Sequence, residues 1–290
     1  MFDRKFLGMG LLLASSLFLS GCLTVPTAAQ RLATADSIGE PAGFKRVWLL
    51  TSPFQLTVYK KIQKPGQPLH VYIEGDGYAW VTRNRISGDP TPRRPTALEL
   101  AALDPSPNVL YIARPCQYTP LDQSYACDEA YWTGLRFSEE VIQSMDAAVQ
   151  WFVDDAKIPE IHLIGYSGGA AVAALIAARR DDVASLRTVA GNLDPKGLCE
   201  YHHVSVPDAG TLNPMDVAED LSEIPQTHFV GMNDRIVPES IAQGFVGKMS
   251  SASCARIQEV EGADHVKGWA AAWPQLLSVP LVCSDSPKKS

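Results

Sequence analysis

Short apolar runs alternate along the chain with longer stretches in which apolar side chains recur every three or four positions. A short apolar run predicts a buried strand, and the longer spacing predicts a helix with one apolar face. The predicted strands are 46–50, 54–60, 70–73, 109–113, 161–164, 186–190, 227–230 and 256–260, and the predicted helices are 96–103, 137–156, 170–180, 241–248 and 269–277. Strands that alternate with helices in this way indicate a mostly parallel sheet covered on both faces.

The connection between strand 161–164 and helix 170–180 carries the clearest motif of the chain, Gly-Tyr-Ser-Gly-Gly at 165–169. A strand, a Gly-x-Ser-x-Gly turn and a helix together form the pattern of a nucleophile elbow. The terminal glycines allow a tight turn, because side chains there would collide with the neighbouring strand and helix. The N-terminus of the helix is then expected beneath Ser167, where its free N–H groups favour negative charge beside that side chain.

With this elbow midway and a predicted antiparallel pair at its start, the layout resembles the α/β-hydrolase fold over residues 46–280. The resemblance implies one catalytic domain, residues 46–290, with a mostly parallel central sheet, helices on both faces and a small or absent cap. It also implies a serine, an acid and a histidine in that order along the chain, each following the end of a strand.

The family order selects His265 as the base, because it follows the last predicted strand in a tight loop before the final helix. Asp234, after strand 227–230, is the first choice for the acid that orients the imidazole, and Asp194, after the preceding strand, is the second. Asp264 adjoins the histidine, and neighbouring side chains in a tight turn rarely face each other. The other histidines lie in predicted strands or precede the candidate acid, namely His70, His162, His202, His203 and His228.

An acyl-transfer site also needs two backbone N–H groups that stabilise the oxyanion. The first is expected from Gly168, the residue after the nucleophile, and the second from the loop that follows strand 70–73. In that loop Glu-Gly-Asp-Gly at 74–77 stands where many members of the family have His-Gly-x-Gly, so the match assigns the second donor to Asp76, with Gly77 as the alternative. Asp76 brings a carboxylate close to the forming charge, and we therefore expect its side chain to point away or to be paired.

These residues predict a serine hydrolase that cleaves a carboxylic ester or thioester, a small-molecule substrate, through an acyl-enzyme on Ser167. A peptidase or amidase of the same fold is an alternative, because Gly-x-Ser-x-Gly-Gly also occurs in α/β-fold peptidases. A non-catalytic lipoprotein that binds or scaffolds envelope components is a second alternative. The resemblance implies no cofactor and no metal, and the sequence contains no Cys-x-x-Cys or Cys/His spacing typical of a zinc site.

Access to the site depends on two segments. This fold usually carries its lid between the sixth and seventh strands, and residues 192–225 lack a long stretch with a broad apolar face. We therefore expect an open pocket that takes dissolved short- or medium-chain esters. The excursion at 114–137 is the other expected pocket wall, with the aromatic residues Tyr118, Tyr125, Tyr131 and Trp132.

Composition narrows the choice of partners. The 290 residues carry a net charge of −7, and 46% of them are hydrophobic, which is typical of a globular domain. A basic stripe with interleaved aromatic residues is absent from the sequence, which argues against nucleic-acid binding. We expect a monomer.

The N-terminus has the pattern of an export signal. Arg4 and Lys5 precede an apolar run at 6–19 that is short for a bilayer span. The run ends in Leu-Ser-Gly-Cys at 19–22, which resembles the lipobox of bacterial lipoproteins. An ordinary secretory peptide or an anchor helix remains the alternative.

The lipobox resemblance implies a signal peptide at 1–21 and lipidation of Cys22, which would tether the protein to a membrane. Leucine rather than aspartate follows the cysteine, which in lipoproteins of this type implies the outer membrane, facing the periplasm. Residues 22–45 are rich in Ala, Thr, Gly and Pro, and we expect them to form a lipidated, flexible tether.

An oxidising compartment would allow the remaining cysteines to pair. Cys116 and Cys127 bracket a polar, proline-containing loop and are the first disulfide expected. Cys254 and Cys283 are the second expected pair, which leaves Cys199 as a free thiol.

Overall fold

The computed structural model describes residues 25–119, 126–206 and 210–283. The strands within these ranges are β1 (Lys45–Thr51), β2 (Phe54–Ile62), β3 (Leu69–Ile73), β4 (Trp80–Thr82), β5 (Arg85–Ile86), β6 (Asn108–Ile112), β7 (Ile161–Tyr166), β8 (Val183–Val189), β9 (Gln226–Gly231) and β10 (Ala255–Val260). The α-helices are α1 (Ala28–Gly39), α2 (Thr96–Ala102), α3 (Glu139–Ala156), α4 (Gly168–Ala177), α5 (Pro195–Tyr201), α6 (Glu239–Val246) and α7 (Trp269–Leu277).

Eight of these strands form one sheet, in the order β1-β2-β6-β3-β7-β8-β9-β10. β2 pairs antiparallel with β1 and β6, and all other neighbours in the sheet are parallel. The predicted mostly parallel sheet with an antiparallel start is confirmed. β4 and β5 form a separate hairpin, which the apolar pattern does not reveal because these strands have only three and two residues.

Helices cover both faces of the sheet, as predicted. α3, α4 and α6 belong to one apolar layer, and α1, α2 and α7 belong to the other. In β3, Leu69, Val71 and Ile73 join the first layer, whereas Tyr72 joins the second. Because successive side chains of a strand point to opposite faces, a strand buried on both sides is apolar throughout.

Helix α4 forms the rigid support behind the elbow. All 10 of its residues are buried, and most of them are glycine or alanine. Small side chains let the helix approach the sheet closely. The larger ones, Val172, Leu175 and Ile176, each contribute about 1.5–3 kcal/mol by full burial.

Helix α1 corrects the expectation of a flexible tether over residues 22–45. Thr27 and Gln30 form a capping box at its start. The buried Arg31 pairs with Asp89 at 3.1 Å, far along the chain. The folded domain therefore begins with α1 rather than at residue 46, because contacts with distant residues order a segment whose composition alone indicates disorder.

The signal peptide at 1–21 and the lipidated Cys22 lie outside the described residues, and both remain predictions. No helix in the described ranges is both long enough and apolar enough to cross a membrane.

Both expected disulfides are present, Cys116–Cys127 and Cys254–Cys283. Cys199 carries no disulfide and is buried. The first bridge closes the excursion that follows β6, and the second ties the segment after α7 to the start of β10.

Candidate active site

The turn between β7 and α4 has the backbone geometry of a nucleophile elbow. Ser167 lies at φ 50° and ψ −121°, a strained conformation for a residue with a side chain. A Cβ atom on Gly165 would lie 2.5 Å from the Cα atom of Ala170, and one on Gly169 would lie 2.2 Å from the carbonyl oxygen of Ile73. Glycine is therefore required at 165 and 169 for the steric reason predicted.

The third glycine of the turn, Gly168, faces a side chain rather than backbone, a contact that was not predicted from the sequence. A Cβ atom on Gly168 would lie 1.9 Å from Oδ1 of Asp76. The carboxylate of Asp76 thus lies directly against the start of α4. The same loop touches the serine from the other side, since a Cβ atom on Gly75 would lie 3.1 Å from the Cβ atom of Ser167.

The three predicted catalytic side chains meet at the carboxyl edge of the sheet. Ser167 Oγ lies 3.0 Å from His265 Nε2, and His265 Nδ1 lies 2.8 Å from Asp234 Oδ2. With Nδ1–H donating to the carboxylate, Nε2 is free to accept the serine hydroxyl proton. The side chain of Asp234 is 1% exposed and that of His265 is 12% exposed, so the hydrogen bond between them is largely shielded from water.

Backbone contacts hold the acid and the base in place. Asp234 Oδ1 accepts hydrogen bonds from the N–H groups of Ile236 and Val237, at 2.8 and 3.0 Å. The carbonyl oxygen of His265 accepts from Tyr166 Oη at 2.9 Å and from Trp269 Nε1 at 3.2 Å. The backbone of His265 is therefore tied both to the elbow strand and to α7.

The two competing aspartates have structural partners of their own. Asp194 caps α5, and its Oδ1 accepts from the N–H of Gly197 at 3.0 Å and from Asn213 Nδ2 at 3.1 Å. Asp264 Oδ1 accepts from the N–H groups of Val266 and Lys267, and these bonds lower the pKa of that carboxyl. Each carboxylate stabilises a local turn, while the ring of His265 bonds Asp234.

Four of the five remaining histidines lie in other hydrogen-bond networks. His70 pairs with Asp104 at 2.6 Å, and His162 Nδ1 lies 2.7 Å from Ser185 Oγ. His228 is fully buried beside Thr188, and burial lowers its pKa to about 3. His202 Nε2 donates to the carbonyl oxygen of Ile236 at 2.7 Å, close to the acid loop. The structural interpretation of the strand histidines agrees with these contacts.

The loop expected to hold the oxyanion follows β3 and lies against the elbow, as the contact of Gly75 with Ser167 indicates. Gly168 is the first residue of α4, where backbone N–H groups have no partner within the helix. The N–H groups of Asp76 and Gly168 are thus on adjoining segments beside Ser167. Their assignment as oxyanion donors remains a prediction.

The side chain of Asp76 is paired, as expected. Its Oδ1 lies 3.2 Å from Arg114 Nη1, and its Oδ2 lies 3.2 Å from Arg136 Nε. The guanidinium of Arg114 is 4% exposed and also donates to the carbonyl oxygen of Arg136. Burial lowers the pKa of Arg114 to about 10, so it remains a cation at neutral pH.

Arg114 and Arg136 were not predicted from the sequence. One weak signal was available, since Arg114 follows β6, whose carboxyl end shares a sheet edge with the loop of Asp76. Two cations around one carboxylate leave a net positive charge next to the proposed oxyanion position. Asp76 therefore does not place an uncompensated negative charge there.

Most of the described aromatic residues in segment 114–137 pack inside the protein. Trp132 is buried with Ala79 and Cys116, and Tyr118 is buried in the layer of α2. Tyr131 contacts the ring of Phe54. Tyr125 lies outside the described residues. The expected aromatic pocket wall is thus wrong for Tyr118 and Trp132, because the loop folds inward over these rings.

The segment between β8 and β9 forms only a small cap in its described part. It contains α5, which has 7 residues, and two short 3₁₀ turns. Across the described ranges, no group of three or more His, Cys, Asp or Glu side chains is arranged to hold a metal ion.

No protein-family model and no curated protein matches the sequence. Solved structures do match. A serine hydrolase homologue from Coxiella burnetii has a TM-score of 0.52 and 16% identity, with 80% of this chain and 93% of that chain covered. An esterase from Pyrococcus furiosus has a TM-score of 0.56 and 14% identity, with 81% and 88% covered.

A puromycin-hydrolysing peptidase from Mycobacterium tuberculosis has a TM-score of 0.56 and 17% identity, with 81% of this chain but only 39% of that chain covered. Identities this low establish the fold and leave the activity open. Together with the order and directions of the strands, these similarities show that the chain has the α/β-hydrolase fold.

Proposed function

We propose that this protein is a serine hydrolase that cleaves a carboxylic ester or thioester through an acyl-enzyme. Ser167 Oγ attacks the carbonyl carbon while His265 Nε2 takes its proton, and Asp234 stabilises the imidazolium that forms. The N–H groups of Asp76 and Gly168 hold the oxyanion. His265 then gives the proton to the leaving alcohol or thiol, and a water molecule repeats the sequence to release the acid and restore Ser167.

One observation carries this proposal, the continuous hydrogen-bonded line from Ser167 through His265 to Asp234. These residues are 98 and 31 positions apart in the sequence, so the contact is made by the tertiary fold. The line ends on a serine with positive φ at a helix N-terminus, which is where a developing negative charge is favoured. The esterase neighbour supports the same class of reaction.

Two alternatives remain. A peptidase or amidase would use the same side chains, and the mycobacterial neighbour is a peptidase. A binding or scaffolding module would keep the fold without turnover. Labelling by a reactive phosphonate distinguishes a binding or scaffolding module from a serine hydrolase. A series of substrates then distinguishes an esterase or thioesterase from a peptidase or amidase.

We expect a fluorophosphonate probe to label the wild-type protein and not the Ser167→Ala variant, because only an activated serine attacks the phosphorus. A panel of p-nitrophenyl esters, a thioester and a p-nitroanilide then ranks the leaving groups, and the esters or the thioester should turn over fastest. Labelling with turnover of the anilide alone would establish the amidase alternative. A folded wild-type protein that is neither labelled nor active would favour the binding module.

The surface next to the site supports a substrate with an apolar part. Five large apolar side chains that are about half exposed lie on the segments around α5 and the acid loop, namely Tyr201, Val204, Val206, Met232 and Ile236. The two segments meet where His202 bonds the carbonyl oxygen of Ile236, two residues after Asp234. Clustered exposed apolar groups often mark a binding surface. We propose that these five side chains form a rim that binds the acyl chain of the substrate.

A series of p-nitrophenyl esters from acetate to octanoate tests this assignment. We expect KM to fall about two- to threefold per added methylene over the first few carbons, since each buried methylene contributes up to about 0.8 kcal/mol. Ile236→Ser and Val204→Ser should flatten this dependence, whereas Leu50→Ser should not. Leu50 is 76% exposed on β1, at the other edge of the sheet from β10. A dependence on chain length that is unchanged in both rim variants would contradict the assignment.

A further inference from the structure

Glu74 lies at the base of the oxyanion loop with a carboxyl group that is enclosed by protein. Glu74 as a whole is only 1% exposed. Oε1 accepts from the N–H of Gly75 at 2.9 Å and from the N–H of Ala97 at 3.4 Å. Oε2 accepts from Tyr111 Oη at 3.1 Å. One carboxyl group therefore ties the loop to the start of α2 and to β6.

The charged surroundings of Glu74 differ from those of Asp76, two residues later. Asp76 has two arginines, whereas the titratable groups that face Glu74 are a carboxylate and three phenols. They are Glu99 on α2, Tyr111 on β6, Tyr118 after β6 and Tyr166 on β7.

The cations that face these groups are themselves paired. Arg31 is bonded to Asp89, and Arg94 is bonded to Glu99. A negative charge on Glu74 is therefore not balanced by a partner of its own. Burial without a balancing cation raises the pKa of Glu74 to about 7.

Protonation need not break the contacts of this carboxyl group. In the neutral acid, Oε1 still accepts from the N–H groups of Gly75 and Ala97, and Oε2–H donates to Tyr111 Oη. The loop keeps its hydrogen bonds in either state, and what changes is the charge. That charge lies one peptide unit from the Asp76 N–H, the proposed oxyanion donor.

We propose that Glu74 positions the oxyanion loop and that its negative charge, when it ionises, opposes the oxyanion, so that hydrolysis is fastest while Glu74 is neutral. This inference rests on the proposed hydrolase function. At an effective dielectric constant of about 20, a negative charge about 10 Å from a forming oxyanion lowers the rate on the order of tenfold, and a nearer charge lowers it more. Ordinary serine hydrolysis that depends on one histidine would instead rise with pH to a plateau.

The test compares kcat/KM from pH 5 to pH 10 for wild type and Glu74→Gln with the best ester of the panel. Wild type should pass through a maximum and then fall on the order of tenfold as Glu74 ionises. Glutamine keeps an oxygen for the two N–H groups and an NH₂ for Tyr111, but it cannot ionise. Glu74→Gln should therefore reach a plateau.

Two further variants separate charge from position. Glu74→Leu removes the hydrogen bonds and the charge, so kcat should fall with KM nearly unchanged and without an alkaline decline. Glu99→Gln is the comparison variant. It should keep the decline but move it to lower pH, because it removes a carboxylate that raises the pKa of Glu74 and releases Arg94 from its pair. A decline that persists in Glu74→Gln, or a plateau in wild type, would overturn the inference.

A stability measurement tests the ionisation without using activity. The pKa of Glu74 in the folded protein lies above its unfolded value, so folding binds a proton between about pH 4.5 and pH 7 and wild type loses stability as pH rises through this window. The denaturant midpoint of wild type should fall relative to that of Glu74→Gln between pH 5 and pH 8. A constant difference would overturn the inference. A difference that changes as expected in a protein that hydrolyses no ester would instead count against the proposed function.

Discussion

Replacing Ser167 with alanine should lower kcat by about 10⁴-fold or more, and replacing His265 with alanine should cost nearly as much. In the proposed mechanism the two side chains act as one unit, because the serine is a weak nucleophile until His265 Nε2, 3.0 Å away, accepts its proton. The double variant should therefore be little worse than either single variant. Steady-state hydrolysis of the best ester in the panel measures all three.

The chain offers a matched control for this experiment. Ser185 Oγ lies 2.7 Å from His162 Nδ1, a serine–histidine contact in the same sheet but away from the elbow. Ser185→Ala should leave kcat within about twofold of wild type, because the buried Ser185 pairs with the beginning of β7, away from the carboxyl edge of the sheet that carries the elbow. Hydrolysis near the wild-type rate in Ser167→Ala or His265→Ala would contradict the proposed mechanism.

Asp234→Asn should lower kcat by about 10⁴-fold, because an amide in place of the carboxylate no longer holds the imidazole in the tautomer with hydrogen on Nδ1. Asp194→Asn should change kcat only a few-fold. Its carboxylate caps α5 through the N–H of Gly197, and asparagine is nearly as good a helix cap as aspartate. The same ester assay ranks both variants.

The outcome of this comparison decides which strand end carries the acid. A larger loss in Asp194→Asn than in Asp234→Asn would move the acid to the loop after β8. Equal and large losses accompanied by a lower unfolding midpoint would indicate that Asp234 matters through folding. Circular dichroism and thermal unfolding of both variants provide that check.

Much of the fold follows from local patterns. β7, the glycines of 165–169 and α4 are consecutive, and the collision of a Cβ atom at Gly165 with Ala170 involves residues only a few positions apart. The apolar runs also locate the strands of the main sheet to within a few residues, because strands buried on both faces contain few polar positions. The order of serine, acid and histidine then predicts which loops converge.

The convergence itself required the tertiary structure. Asp234, Asp194 and Asp264 are all acids near strand ends or turns, and their local sequences do not separate them. They differ in what their oxygens contact, and only one of the three faces the ring of His265, at 2.8 Å. The roles of these residues remain predictions until the variants are measured.

Long-range partners explain the errors of the sequence analysis. α1 has the composition of a linker, yet Arg31 pairs with Asp89, and Arg46 and Tyr59 both bond Asp36. Arg31 and Asp89 are 58 positions apart, and Tyr59 and Asp36 are 23 positions apart, so no short window of the sequence contains these two contacts. Trp132 was likewise predicted to line the pocket wall, whereas it is buried with Ala79 and Cys116.

The sequence by itself determined the elbow, the alternation of strands and helices, and the candidate nucleophile, because steric exclusion at a tight turn and apolar periodicity act over a few residues. The tertiary structure alone decided the electrostatics around that nucleophile. Asp76 is balanced by Arg114 and Arg136, 38 and 60 positions later in the sequence, whereas Glu74 is buried beneath the same loop without a cation of its own. Two carboxylates separated by one glycine thus acquire opposite surroundings, since burial and charge pairing depend on which distant segments the fold packs against them.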